Sequence, residues 1–208
     1  MRPLLLLVLL AFTLPACTSQ KMAATARPAD YQPADGDFLF QSLPHNRLID
    51  AIEGSTGSPF SHCGIVVKKI GEWKVIEAIG PVKETPLQQW LYQGRGDAFV
   101  AYRLRAPLQA QVPQIIAAAE RYTGRPYDLH YDLDDARIYC SELLWKATRD
   151  ATGVKLGKLQ KVGELNWKPY EAVIRELENG ALPLEREMIT PRSLTEDPRL
   201  EEVFRRGQ

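Results

Sequence analysis

The segment from Ser61 to Ala78 constrains the fold more than any other part of this chain. Ser61 to Lys69 contains Ile65-Val66-Val67, and runs of branched aliphatic residues suit a half-buried strand. Gly71 allows a tight turn, and Trp73 to Ala78 returns as a second apolar run. Two such runs joined so closely predict an antiparallel hairpin. Side chains alternate along a strand, so His62, Gly64 and Val66 share one face, and Cys63, Ile65 and Val67 share the other.

The rest of the chain supplies short strands first and helices later. Phe38-Leu39-Phe40 begins a strand just after Gly36-Asp37, and Phe99 to Leu104 reads as another. His45 to Glu53 carries a weak helical pattern in Leu48, Ile49 and Ile52, and Gly54 to Pro59 reads as a loop. Thr85-Pro86 predicts a helix start, with Thr85 as cap and Pro86 as first helical residue, ending at Gly94. Pro113 opens a helix whose Ile115, Ile116, Ala119 and Tyr122 share a face, and Gly124 closes it. Tyr127 to Ile138 reads as a loop, and its Asp128, Asp132, Asp134 and Asp135 as a solvated face without the alternation of a calcium loop. A helix starts at or just before Cys140 and runs to Gly153, and a last one covers Tyr170 to Asn179. Thr190-Pro191-Arg192 and Asp197-Pro198 read as turns or caps, and Trp90 and Trp145 as core. This order predicts an α+β domain with a mainly antiparallel sheet packed against helices.

The N-terminal stretch stands apart from that domain. Leu4 to Leu14 is an apolar run of 11 residues, too short to span a bilayer and suited to a signal-peptide core. Leu14-Pro15-Ala16-Cys17 resembles the lipobox of bacterial lipoproteins. That resemblance implies cleavage after residue 16, a diacylglycerol on Cys17 and a membrane anchor. Residues 17–34, rich in Ala, Thr, Pro and Ser, then form a flexible tether, and residues 35–208 the domain. By resemblance to sorted lipoproteins, Thr18 in place of aspartate favours the periplasmic face of an outer membrane. With 26 basic and 26 acidic residues the chain is neutral, and no basic stripe marks a nucleic-acid surface.

If Cys17 carries lipid, Cys63 and Cys140 remain. One reading joins them in a disulfide. The other makes Cys63 an ordinary buried residue and Cys140 reactive, and strand alternation favours it if His62 faces the cleft. Cys140 opens a helix, whose dipole stabilises a thiolate and whose free N–H groups, those of Cys140 and Ser141, suit an oxyanion. His62 is the candidate base, and Glu77 in the partner strand the group that orients it. Glu77 could equally face solvent from an edge strand. His45 and His130 are weaker candidates, without zinc-like spacing to a cysteine.

Ser61-His62-Cys63-Gly64-Ile65-Val66, Val75-Ile76-Glu77-Ala78, Tyr127-Asp128 and Tyr139-Cys140-Ser141-Glu142-Leu143 together resemble the YiiX/YebB-like permuted papain-fold hydrolases, relatives of the NlpC cell-wall peptidases. The histidine strand precedes the cysteine helix, as the permuted order requires. The resemblance covers roughly residues 35–200 and implies a circularly permuted papain-like fold. It implies Cys140 as nucleophile, His62 as base, Glu77 as third polar residue and Tyr139 as a pocket residue. It implies a cysteine hydrolase that needs no cofactor and no metal. The expected substrate is an amide in a cell-wall peptide. A lipid acyl substrate is the alternative, which an apolar channel at the site would favour. A non-catalytic envelope binding module is the third reading.

Overall fold

The computed structural model describes residues 31–207. The leader, Cys17 and most of the expected tether lie outside the described residues. Six strands form one antiparallel sheet: β1 (Phe38–Gln41), β2 (His62–Lys69), β3 (Glu72–Ala78), β4 (Val82–Pro86), β5 (Phe99–Leu104) and β8 (Leu200–Arg206), in the spatial order β4-β3-β2-β1-β5-β8. The remaining pair, β6 (Gln160–Lys161) and β7 (Glu187–Met188), forms a separate two-stranded ribbon. The helices are α1 (Arg47–Thr56), α2 (Leu87–Gln93), α3 (Val112–Glu120), α4 (Cys140–Thr152), α5 (Glu171–Leu177) and α6 (Pro191–Thr195).

The hairpin lies inside this sheet, with Ile65 opposite Ile76 and Gly64 opposite Glu77. Period-two alternation divides its side chains between two buried layers. Phe38, Phe40, Cys63, Ile65, Val67, Ile76 and Ala78 face a core completed by Ile115, Ala118 and Ala119 of α3 and Leu143, Leu144 and Ala147 of α4. Glu77 opposite Gly64, and hence His62, belong to the other face, where Trp90 of α2 packs on the His62 ring. Trp90 and Trp145 are both buried, as expected of core residues.

Three local expectations are corrected, and one strand has no counterpart in the sequence reading. Thr85 does not cap α2: it lies in β4 opposite Val75, and the helix starts one residue after Pro86. The loop expected at Gly54 is still helix, because α1 runs to Thr56 and stops at left-handed Gly57 (φ 62°). Gly54 is tolerated there because Tyr170 lies against it: a Cβ would sit 1.7 Å from the Tyr170 hydroxyl. Asp128 is not part of a solvated face but is fully buried, accepting from the backbone N–H groups of His130 and Asp132. The tail beyond Pro198 is β8, an edge strand with mixed polarity in Leu200-Glu201-Glu202-Val203-Phe204. The cap at Thr190 is present, its hydroxyl accepting from Ser193 N–H.

Candidate active site

Two elements meet at the site. β2 begins with His62, and α4 begins with Cys140 after an extended Tyr139. Glu142, in the first turn of α4, accepts from the backbone N–H of Tyr139 at 3.1 Å, a capping bond that fixes where the helix starts. The N–H groups of Cys140 and Ser141 belong to the helix's first turn, where no carbonyl of the preceding turn can accept them. Helix α4 packs on the Cys63 face of β2, and this brings the Cys140 Sγ to 3.9 Å from the carbonyl of Ser61.

Glu77 is fully buried, not solvent-facing. Its Oε2 lies 2.5 Å from His62 Nε2 and accepts from Gln93 Nε2 at 3.0 Å, and its Oε1 accepts from the Thr85 hydroxyl. Three donors on one buried carboxylate leave it anionic. Burial alone would raise its pKa, and the bonds to His62, Thr85 and Gln93, with the His62 charge, lower it below the usual carboxylate range. Thr85 and Gln93 escaped the sequence reading. Thr85 had a plausible alternative use as a helix cap, and no pattern marks Gln93.

Burial by itself would lower the pKa of His62, but its hydrogen bonds to Cys140 and Glu77 and their negative charges outweigh that and raise it to about 9. Cys140 moves the opposite way, well below the ordinary thiol value. The hydrogen bond from the Cys63 thiol is the largest cause, burial opposes it, and the bond and charge of His62 add to it. Both shifts run in the direction that favours a thiolate on Cys140 and an imidazolium on His62.

Cys63 lies on the opposite face of β2 from His62, as alternation requires, but this does not separate it from Cys140. Cys140 approaches from the Cys63 side at the very start of the strand, where its sulfur meets the Ser61 carbonyl. Both cysteines are free thiols in the structure.

Cys140, Ser141 and Tyr139 line an open, mainly apolar cleft. Its walls are Leu48 and Ile52 of α1, Val173, Ile174 and Leu177 of α5, and Trp167. Tyr139 is held in place by an edge-on contact with Tyr131 at 5.1 Å and by the backbone N–H of Ile189, which donates to its hydroxyl. The Ser141 hydroxyl donates to the carbonyl of Ile189 and is turned away from the sulfur. Of the weaker candidates, His130 lines the cleft beside Glu178, and His45 is exposed against Asp50.

A cysteine-led helix over an antiparallel sheet, with its histidine on an earlier strand, defines a papain-like cysteine hydrolase of permuted order. The family model for permuted papain-like amidases of the YaeF/YiiX type, family C92, matches residues 32–204. The chain belongs to this family. It is 35% identical over 176 residues to YiiX of Escherichia coli K12, an uncharacterised protein, across 83% of this chain and 87% of that one. It is also similar to the crystal structure of YiiX from Escherichia coli O157:H7, with a TM-score of 0.81 and 34% identity over 86% of this chain and all of that one. That YiiX is described as a metalloprotein. In this chain, among the described residues, no three His, Cys, Asp or Glu side chains are grouped to hold a metal ion. The donor set here does not fit one: both Glu77 oxygens are taken by His62, Thr85 and Gln93.

Proposed function

We propose that this amidase cleaves an amide whose acyl part is a long apolar chain, with Cys140 as nucleophile, His62 as acid and base, and Glu77 orienting His62. The apolar cleft opening on Cys140 carries the reading. Its lining, with Leu48, Ile52, Val173, Ile174 and Leu177 beside Trp167, offers an aliphatic chain an apolar surface. A wall peptide would bring charged and amide groups against walls built largely of aliphatic and aromatic side chains, where most would lose water without gaining partners.

The chemistry follows from a thiolate–imidazolium pair. The thiolate of Cys140 attacks the amide carbonyl, and the oxyanion is held by the N–H groups of Cys140 and Ser141. The His62 imidazolium gives its proton to the departing amine, and the C–N bond breaks to leave a thioester. Neutral His62 then takes a proton from water, hydroxide adds to the thioester, and the sulfur leaves as the acid is released.

The test is kcat/KM on a series of N-acyl amides of increasing chain length, with Cys140→Ala as blank. Each methylene buried contributes about 0.8 kcal/mol, so kcat/KM rises roughly fourfold per methylene until the cleft is full. A flat series, or faster cleavage of polar peptides, refutes the substrate class. We further propose that Cys17 carries the lipid that ties the chain to the envelope membrane. Labelled palmitate then enters the wild type and not Cys17→Ala, and labelling of both sinks the anchor.

A further inference from the structure

The first turn of α4 carries a carboxylate that the mechanism above does not use. Glu142 is fully buried, two residues after Cys140. A carboxylate loses its hydration there, so each oxygen needs a partner. One accepts from Tyr139 N–H at 3.1 Å, and the other pairs with Lys146 Nζ at 2.8 Å. Lys146 is itself fully buried and reaches back to the loop before the helix, donating to the Asp134 carbonyl and to Asp135 Oδ1 at 2.6 Å. One connected polar cluster thus joins the approach loop, the residue before the nucleophile and the second turn of α4.

What this cluster fixes is a peptide plane. A trans peptide points its C=O and its N–H in opposite directions. The Tyr139 carbonyl accepts from Leu143 N–H at 3.0 Å, so it points down the helix. The Cys140 N–H on the same plane therefore points out past the helix start. Tyr139 is extended (φ −99°, ψ 167°), so the chain changes from strand-like to helical at this one residue. Glu142 holds its N–H there, and Ile189 N–H holds its hydroxyl.

We propose that Glu142 is a positioning residue for the hydrolysis: through the Tyr139 N–H it holds the Tyr139–Cys140 peptide at the angle that aims the Cys140 N–H at the oxyanion. The proposal rests on the reading of Cys140 as nucleophile. Glu142 does not line the cleft, so it acts through the backbone and not on the substrate. Its effect belongs to the transition state, because an oxyanion demands more of a fixed donor than a ground-state carbonyl does.

The experiment needs no amide substrate. Propanal, too short to depend on the acyl-chain reading, is added to the full chain. The Cys140 thiolate adds to its carbonyl carbon, the C=O π pair moves to oxygen, and the oxyanion takes the His62 proton to give a hemithioacetal. The adduct shields Cys140 from iodoacetamide, read by peptide mass spectrometry. Protection is measured against each variant's own alkylation rate, so a change in thiol reactivity cancels. Lys146→Met with Glu142→Gln removes both buried charges and keeps an acceptor for the Tyr139 N–H. Lys146→Met with Glu142→Met removes that acceptor as well. The proposal expects propanal to bind the second pair roughly tenfold more weakly than the first, a part of the roughly 10²–10³-fold lost with an entire oxyanion donor. If the methionine pair does not fold, Glu142→Ala against wild type removes the same acceptor in a smaller side chain. Equal affinities with and without the acceptor overturn the proposal alone. A wild-type Cys140 that propanal does not protect overturns the nucleophile reading, and the proposal with it.

Discussion

Replacing Glu77 by glutamine removes one charge from the site and can leave every hydrogen bond in place. The glutamine oxygen can occupy the position of Oε2 and accept from His62 and Gln93, as Oε2 now does. Its NH2 then faces the Thr85 hydroxyl, which can turn and accept. What is lost is the Coulomb attraction for the imidazolium. For unit charges about 4 Å apart this is about 4 kcal/mol at an effective dielectric of 20. At about 1.36 kcal/mol per pKa unit, and with the hydrogen bond itself retained, His62 falls by roughly two to three units. It moves from about 9 to roughly 6–7. Histidine NMR read against pH checks this without a substrate, with His62 identified by its absence in His62→Ala. Amide hydrolysis gives a second reading. The imidazolium must protonate the leaving amine, so the alkaline limb of the pH–rate profile moves down with His62. At pH 8 the variant is slower by roughly 10- to 100-fold, the loss of protonated His62 that such a shift implies. A His62 that still titrates near 9 in Glu77→Gln refutes the reasoning. The proton would then be held by Cys140 alone, and Glu77 would be only a spacer.

Two further perturbations separate the parts that surround the pair. Thr85→Val removes one of three donors from a buried carboxylate and costs about 1.5–3 kcal/mol, read as a lower urea midpoint with unchanged slope; an unaltered midpoint would mean that the Thr85 hydroxyl contributes nothing to the site. Lys146→Met leaves Glu142 buried without its cation, which now lies at 2.8 Å. Burial, opposed by Lys146, already raises Glu142 to about 7, and without the lysine it rises further. Such a raised carboxyl favours the folded state while protonated and disfavours it as pH climbs above the unfolded value. The loss in Lys146→Met is therefore small at pH 5 and reaches about 3–5 kcal/mol at pH 9. Thermal melts at the two pH values check the sign, and equal losses would show that the lysine contributes packing alone.

The parts of this molecule that could be read from the chain are those where one physical demand dominates. The alternation through Ile65-Val66-Val67 and Val75-Ile76 has no reading other than a hairpin, and the structure pairs those residues. The start of α4 was legible because a polar loop gives way abruptly to a helical apolar pattern at Cys140. Placing Glu77 in an apolar strand called for a buried partner, and His62 is within hydrogen-bond distance of it. What failed involved residues whose local preference is overridden by contacts far along the chain. Thr85-Pro86 makes a good helix start, yet pairing with Val75 keeps Thr85 in the sheet. Gly54 would interrupt a helix in isolation, and here the Tyr170 ring occupies the place a side chain would take. Cys63 was assigned correctly to the core face. Its contact with Cys140 depends on how α4 crosses the strand, and alternation carries no information about that.

Cys140 reaches a carbonyl on a residue 79 positions earlier in the chain. This separation has a consequence for timing. A chain synthesised only through β5 already carries His62, Glu77, Thr85 and Gln93. It lacks the Cys140 sulfur, and its imidazole lacks half of what holds its proton. The thiol, when it emerges, is an ordinary one until α3 and α4 have closed over the sheet. Reactivity is thus absent from every form of the chain that stops before α4, and it arises only when that helix packs on the sheet.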